Sequence, residues 1–222
     1  MVKVAIVFHS AAGTTKKLAE AVAAGIKSVS EVDVIFVEII GTDIVEGRFK
    51  NLALIEQLKN VDAMIFGSPT FMGCVSAQFK AFADATGELW ADKAWSNKIA
   101  SGFTIGSNLS GDQLNTIQYM QIFANQHGML WASLDIPGNC DAEGRNRLGA
   151  QSGLIAHSKD GELNSVDSNS KISRSACCQR SQEICSIKNY NNPHYSGPLA
   201  LVTLRSSRTC ARRYAYKELV DG

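Results

Sequence analysis

Apolar strand segments alternating with amphipathic helical patterns predict a doubly wound α/β sheet for this 222-residue chain. Two further observations support the class. The strand segments are nearly continuous apolar runs rich in β-branched residues, as expected of parallel strands covered on both faces. The turns after the first, third and fourth of them share one character, being rich in Gly, Ser and Thr.

In chain order, the strands are read at 2–9 (VKVAIVFH), 32–39 (VDVIFVEI), 61–69 (VDAMIFGSP), 98–106 (KIASGFTIG) and 129–136 (MLWASLDI). After the first strand, Leu18, Ala21, Val22, Gly25, Ile26 and Val29 follow a helical period. Leu52, Ile55 and Leu58 do so more briefly, and Val75, Phe79, Phe82 and Ala83 form a third stripe. Leu114, Ile117, Met120 and Ala124 form a fourth, ending at His127-Gly128, where glycine suits a left-handed cap. Right-handed crossovers would set these helices on both faces of the sheet. Beyond the fifth strand, residues 137–153 read as a polar loop with four glycines, and the alternation is not resumed.

Hydrophobic residues at 45% and charged residues at 19% fit a globular domain with a real core. No apolar run approaches the roughly 18 residues that span a bilayer, and no charged-then-apolar leader opens the chain, so a mature cytoplasmic protein is expected. Charge then divides the sequence. Residues 1–165 hold 13 Lys+Arg against 17 Asp+Glu, a net −4, while 166–222 hold 9 against 4, a net +5. Cysteine divides likewise, with Cys74 and Cys140 in the first part and Cys177, Cys178, Cys185 and Cys210 in the second. The expected organisation is one α/β domain over 1–165 and a basic, Cys- and Ser-rich, poorly ordered tail over 166–222, helical in pattern only at 211–220. A non-catalytic interaction protein working through that tail is one alternative function, binding nucleic acid or a metal at Cys177, Cys178, Cys185, His194 or Cys210. Adjacent cysteines without a CxxC pair suit zinc poorly, so neither metal nor nucleic acid is expected.

In open α/β sheets, ligands sit outside the carboxyl ends of the strands, near the point where strand order reverses. That directs attention to SAAGTT (10–15), SPTFMGCVS (68–76) and TIGSNLSGD (104–112). A helix N-terminus preceded by glycine and hydroxyl residues seats a phosphate on backbone amides, with no basic side chain required. The chain has no GxxxxGK[ST] string, and its first strand is not followed by GxGxxG, which argues against a nucleoside triphosphate loop and a dinucleotide fold. A phosphate monoester remains. The competing reading is a helix merely capped by Ser10 or Thr14.

The string S-A-A-G-T-T, the run G-S-P-T-F-M-G-C-V-S-A-Q-F-K, G-E-L-W at 87–90 and Q-H-G-M at 126–129 together resemble the flavodoxin-like WrbA-type NAD(P)H:quinone oxidoreductases. The likeness covers about residues 1–165. It implies a flavodoxin-like five-stranded parallel sheet of order 2-1-3-4-5, followed by an irregular C-terminal extension where the family closes with a short amphipathic helix. It also implies FMN as cofactor. By position, Ser10, Ala12, Gly13, Thr14 and Thr15 would hold the phosphate. Pro69, Thr70, Phe71, Met72, Gly73 and Cys74 would edge the ring and ribityl chain, with Thr104, Ile105, Gly106, Ser107 and Gly111 closing the far side. His127 corresponds to a catalytic-site histidine near nicotinamide and quinone, and Trp90 to an aromatic residue lining a neighbouring subunit's pocket.

Each of these residues has a plainer account. Phe71 and Met72 could be core, Cys74 a small buried filler, and His127 a ring favoured by the helix dipole. Trp90 could pack within its own subunit, and Lys16 and Lys17 could form a solvated face rather than steer a phosphate. The resemblance implies ping-pong transfer, with NADH or NADPH giving a hydride and leaving before a quinone takes two electrons. No catalytic acid–base pair stands out in the loops, and a flavin needs none. A homo-oligomer, dimer or tetramer, is implied as well. The nearest alternative is a one-electron flavodoxin-type carrier. Such carriers are strongly acidic, whereas residues 1–165 are mildly so, and 84–97 (DATGELWADKAWSN) is similar to the pocket-forming region of the quinone reductases.

Overall fold

The computed structural model describes residues 1–138, 140, 146–159 and 162–164. The expected tail, its cysteines, His194 and the 211–220 helix lie outside the described residues. The strands are β1 (Val2–His9), β2 (Val32–Ile39), β3 (Ile44–Val45), β4 (Arg48–Phe49), β5 (Ala63–Pro69), β6 (Ile99–Gly106), β7 (Leu130–Trp131), β8 (Leu154–Lys159) and β9 (Glu162–Asn164). The helices are α1 (Thr14–Lys27), α2 (Leu52–Gln57), α3 (Ala77–Asp84), α4 (Gly87–Ala91) and α5 (Gln113–Gln126). The main sheet runs β2-β1-β5-β6-β8-β9, with β7 also paired to β6, and β3–β4 form a small antiparallel hairpin. Counting the long parallel strands alone, this is the expected flavodoxin-like order.

The fifth strand position departs from expectation. Of the segment 129–136, only Leu130 and Trp131 join the sheet, opposite Ile99 and Ala100. The chain then leaves, burying Leu134 and Ile136, and re-enters as β8, whose Leu154–His157 pair with Phe103–Gly106. One strand position is thus filled by two segments around an excursion. The polar, glycine-containing 137–153 stretch opens that gap, and β8 (LIAHSK) is too short and half-polar to register as a buried run. Strand β9 returns antiparallel to β8, giving the parallel sheet an antiparallel edge.

Alternation along the strands builds two cores. Ile6 and Phe8 of β1, Ile65 and Phe103 pack against Leu18, Val22 and Ile26 of α1. Ala5 and Val7 point the other way, with Phe66, to Phe79 and Phe82 of α3 and Met120 and Phe123 of α5. On that second face Phe66 meets Phe79 and Phe123 edge-to-face, at centroid distances of 6.1 and 5.2 Å, a geometry favoured by the ring quadrupoles.

Local rules set the helix starts. Asn51 Oδ1 accepts from the Leu54 amide at 3.2 Å to cap α2, and Ser76 Oγ accepts from the Phe79 amide at 3.2 Å to cap α3. Helix α5 ends as read, with Gly128 left-handed at φ +70°. Leu52 and Leu114, which periodicity assigned to apolar stripes, open their helices exposed. Among the described residues no helix is long and apolar enough to cross a membrane.

Candidate functional site

Strands β1, β5 and β6 are neighbours and parallel, so the segments leaving their carboxyl ends emerge side by side, about 4.8 Å of strand spacing apart. These segments are residues 10–13, 70–76 and 107–112.

The first begins α1 with Gly13 at φ +84°, a left-handed conformation that glycine adopts freely, and no atom lies within 4 Å of where a Cβ would stand. Ser10 Oγ accepts from the Lys16 amide at 3.1 Å, so the helix is Ser-capped as the plainer reading proposed. Capping does not exhaust the amides: the first intrahelical bond is Lys17 N–H to Gly13 O, at 3.0 Å, and the Thr14 and Thr15 amides precede it. Ala12 is exposed, Thr14 and Thr15 are buried, and Thr15 Oγ1 has no partner. Lys16 is committed elsewhere. Its ammonium meets Glu38 Oε2 at 2.8 Å, and this hydrogen bond raises its pKa.

The second segment is a tight turn. Phe71 N–H donates to Cys74 O at 2.9 Å and Cys74 N–H to Phe71 O at 3.0 Å. The two residues between them, Met72 at φ +47° and Gly73 at φ +76°, are both left-handed, the signature of a type I′ turn. Phe71 is 49% exposed and Met72 fully so, which sets aside core packing as their role. Cys74 is half-buried and packs against the α3–α5 core, and Pro69 is buried opposite Ile105 at the strand end. Thr70 is half-buried at the root of the turn: its amide donates to Ile105 O at 2.9 Å, and its hydroxyl lies 2.8 Å from both Thr104 Oγ1 and Thr116 Oγ1.

The third segment curves back over the start of α5. Thr104 and Ile105 are buried within β6, Gly106 is half-buried and Ser107 exposed. Gly111 at φ +41° and Asp112 at φ +56° make the turn. Gln113 is wholly buried beneath it: Nε2 donates to Asn108 O at 2.7 Å, while Oε1 has no partner. His157 of β8 pins the loop from outside, Nε2 to Ser107 O at 2.8 Å. Gln113, Asn115, Thr116 and His157 escaped the sequence reading. A polar residue on a buried helical stripe, as Thr116 stands between Ile117 and Gln113, was the available signal.

Trp90 and His127 come together, but elsewhere. Both line a groove of about 430 Å³ between α3–α4 and the last turns of α5, with Tyr119 and Ile122. Helix α5 starts at the cradle and runs for 14 residues, which puts His127 about 20 Å from the strand tips. The His127 ring is buried against Trp95 and Phe123, at centroid distances of 4.3 and 5.0 Å, and burial lowers its pKa from 6.5 to about 4. Trp90 is 54% exposed, so packing within the subunit does not account for it. Burial, with Asp84 and Cys74 nearby, raises Tyr119 to about 12. Among the described residues, no group of three His, Cys, Asp or Glu could hold a metal ion.

Residues 2–134 match a family model described as NADPH-dependent FMN reductase. Flavodoxin FldP of Pseudomonas aeruginosa is 37% identical over 163 residues, covering 71% of this chain and 82% of that one. An NAD(P)H dehydrogenase (quinone) of Archaeoglobus fulgidus is 37% identical over 147 residues, covering 60% and 77% respectively. Among solved structures, a flavodoxin, WrbA-like protein from Agrobacterium tumefaciens superposes with a TM-score of 0.64 at 32% identity, over 84% of this chain and 99% of that one.

Proposed function

The chain belongs to the NADPH-dependent FMN reductase family, and on that premise we propose that it is an FMN-binding oxidoreductase that passes two electrons from NAD(P)H to a quinone. Bound FMN supplies the chemistry, accepting a hydride and releasing two electrons. The chain's own groups bind and orient. The Thr14 and Thr15 amides, at the positive end of α1, receive the phosphate, with Gly13 allowing close approach. Lys16 remains on Glu38, so the anion is met by peptide dipoles rather than a cation.

The observation that carries this reading is the Phe71–Cys74 turn. It displays two large apolar side chains to solvent beside an amide-lined cradle, and one of them, Met72, stands on left-handed backbone that disfavours it. Apolar cover held at such cost suits a flat ring and an apolar acceptor. Phe71 and Met72 shelter the ring from water, and the 107–111 segment closes the opposite side. Quinone acceptors accord with the name carried by the Archaeoglobus fulgidus relative.

Trp90 and His127 contribute to such a site when a second copy brings their groove against the cradle, since in one copy the length of α5 separates them. His127, neutral at physiological pH and with Nε2 held on Thr86, then shapes the wall of the groove rather than supplying a charge. Sedimentation of the full chain with FMN, and turnover of Trp90→Ala, test that arrangement.

The Pseudomonas relative's name favours a second reading, a one-electron carrier. One experiment separates the two. Purified protein is incubated with FMN, freed of excess, and mixed anaerobically with NADH or NADPH. Rapid bleaching of the visible flavin band followed by reoxidation with a quinone supports the enzyme. A bound flavin that neither nucleotide reduces, while a redox protein partner does, supports the carrier.

A further inference from the structure

The hydrogens of the buried hydroxyl cluster can be placed by elimination. Thr104 has one hydroxyl proton and gives it to the Ser68 carbonyl, 2.7 Å away, which can only accept. Thr104 therefore accepts from Thr70 at 2.8 Å, and Thr70, its own proton spent, accepts from Thr116 at 2.8 Å. The chain runs Thr116 to Thr70 to Thr104 to Ser68 O, joining α5, the turn after β5, β6 and β5. Thr104 and Thr116, at the two sides of the chain, are wholly buried, and Thr70 between them is half-buried. A helical threonine ordinarily turns its hydroxyl back to the carbonyl one turn earlier. Here Thr116 reaches across to another element.

The residue before it does the same. Asn115 Nδ2 donates to Gly73 O at 2.7 Å, on the outer side of the same turn. Adjacent residues of α5 thus grip the 70–74 segment at two points, one at its root and one at its tip. Thr70, with its amide on Ile105 O and its hydroxyl in the chain, has no proton left for a ligand.

We propose that Asn115 and Thr116 are positioning residues that brace the Phe71–Cys74 turn against α5 and so set the affinity of the cradle for flavin, a role that rests on the FMN-binding reading above. Neither residue lies in the three segments that form the cradle. Their effect comes through the placement of Phe71, Met72 and Gly73, because a turn fixed before binding loses less freedom on binding. Thr116 is the stronger brace, since it is itself wholly buried and removing its hydroxyl leaves an acceptor unmatched on half-buried Thr70 at the root of the turn.

The test compares wild type, Thr116→Val, Thr116→Ser and Asn115→Ala, measuring FMN dissociation constants by fluorescence and flavin reduction potentials against reference dyes. Thr116→Val keeps the side-chain shape and is expected to bind FMN about tenfold more weakly, with a shifted potential. Thr116→Ser restores both. Asn115→Ala, at an exposed position that folding tolerates, weakens FMN about threefold. Valine and alanine variants that fold and keep wild-type affinity and potential overturn the brace. So does equal loss in Thr116→Ser and Thr116→Val, which would make the hydroxyl irrelevant. If Thr116→Val does not fold, Asn115→Ala decides alone. Wild type that binds no FMN overturns the underlying reading instead.

Discussion

Thr86 Oγ1 and His127 Nε2 lie 2.9 Å apart, and Thr86 has already given its proton to Ala83 O at 2.7 Å. The imidazole must therefore donate through Nε2, which leaves Nδ1 as a buried acceptor without a partner. Protonating the ring would place a charge at that unmatched atom. The folded-state pKa of about 4 lies below the unfolded value of 6.5, so the unfolded chain binds the proton first. Stability from this group is complete above pH 6.5 and drains away as pH falls toward 4, to a total of about 3 kcal/mol. Urea melts across that window should show a shallower acid decline for His127→Phe, whose ring still stacks on Trp95 and Phe123. Parallel declines would show that His127 is not the titrating group.

Gly13→Ala isolates backbone from contact at the head of α1. No protein atom opposes the new methyl, so the direct cost is that of φ +84°, about 1 kcal/mol of stability. A phosphate approaching the amides would meet the methyl, whereas riboflavin, lacking the phosphate, would not. FMN affinity is expected to fall about tenfold and riboflavin affinity to stay level. Equal effects on both ligands would remove the phosphate from this loop.

Lys16→Ala should leave FMN affinity within about twofold of wild type, because the ammonium is held on Glu38 at 2.8 Å and both groups are partly exposed. A larger loss in equilibrium dialysis, steepened at low salt, would mean that the lysine releases Glu38 and turns to the anion.

Much of this was readable before any coordinate. The alternation of strand and helix, the stripes of α1, α3 and α5 and the three Gly/Ser/Thr-rich segments follow from periodicity and turn chemistry, which are local, whereas the sheet order was implied by the family resemblance alone. What escaped was non-local or inverted in sign. Hydrophobicity alone would bury Phe71 and Met72, and only the resemblance set them at the cradle; the paired left-handed residues at 72 and 73, which no periodicity shows, turn them outward. The fifth strand position is filled by segments 22 residues apart, from Trp131 to Leu154 counted exclusively, and no window along the chain spans that gap. The Thr70–Thr104–Thr116 cluster joins three elements through single hydroxyls, which leave no periodic trace.

Met72→Asn sets local stability against the exposed apolar surface. Asn-Gly is the preferred pair for a type I′ turn, and Met72 occupies its first central position at φ +47°. The substitution should stabilise the protein by about 0.5 kcal/mol while weakening FMN and raising the KM for hydrophobic quinones. A gain in melting temperature with unchanged flavin affinity and kinetics would show that the methionine covers nothing.

Gly67, two residues before Pro69, tests how firmly the cradle's floor is packed. A Cβ at this position would lie 2.2 Å from Phe103 Cζ and under 3 Å from two more ring atoms. Phe103 is opposite Gly67 in the β5–β6 register and is wholly buried in the core under α1. Its ring cannot swing away into solvent, and Ile6, Phe8 and Ile65 share the same core. Gly67→Ala should therefore cost about 3 kcal/mol, the upper range for an overpacked core, although a methyl ordinarily favours a strand over glycine. The cause is separable from any glycine-specific backbone need, because Gly67 carries no left-handed φ. Phe103→Leu alone should lose about 1 kcal/mol from reduced burial, and in the double variant the smaller side chain should recover most of the alanine's penalty. Additive losses in denaturant melts would mean that the clash with the ring is not what keeps position 67 bare.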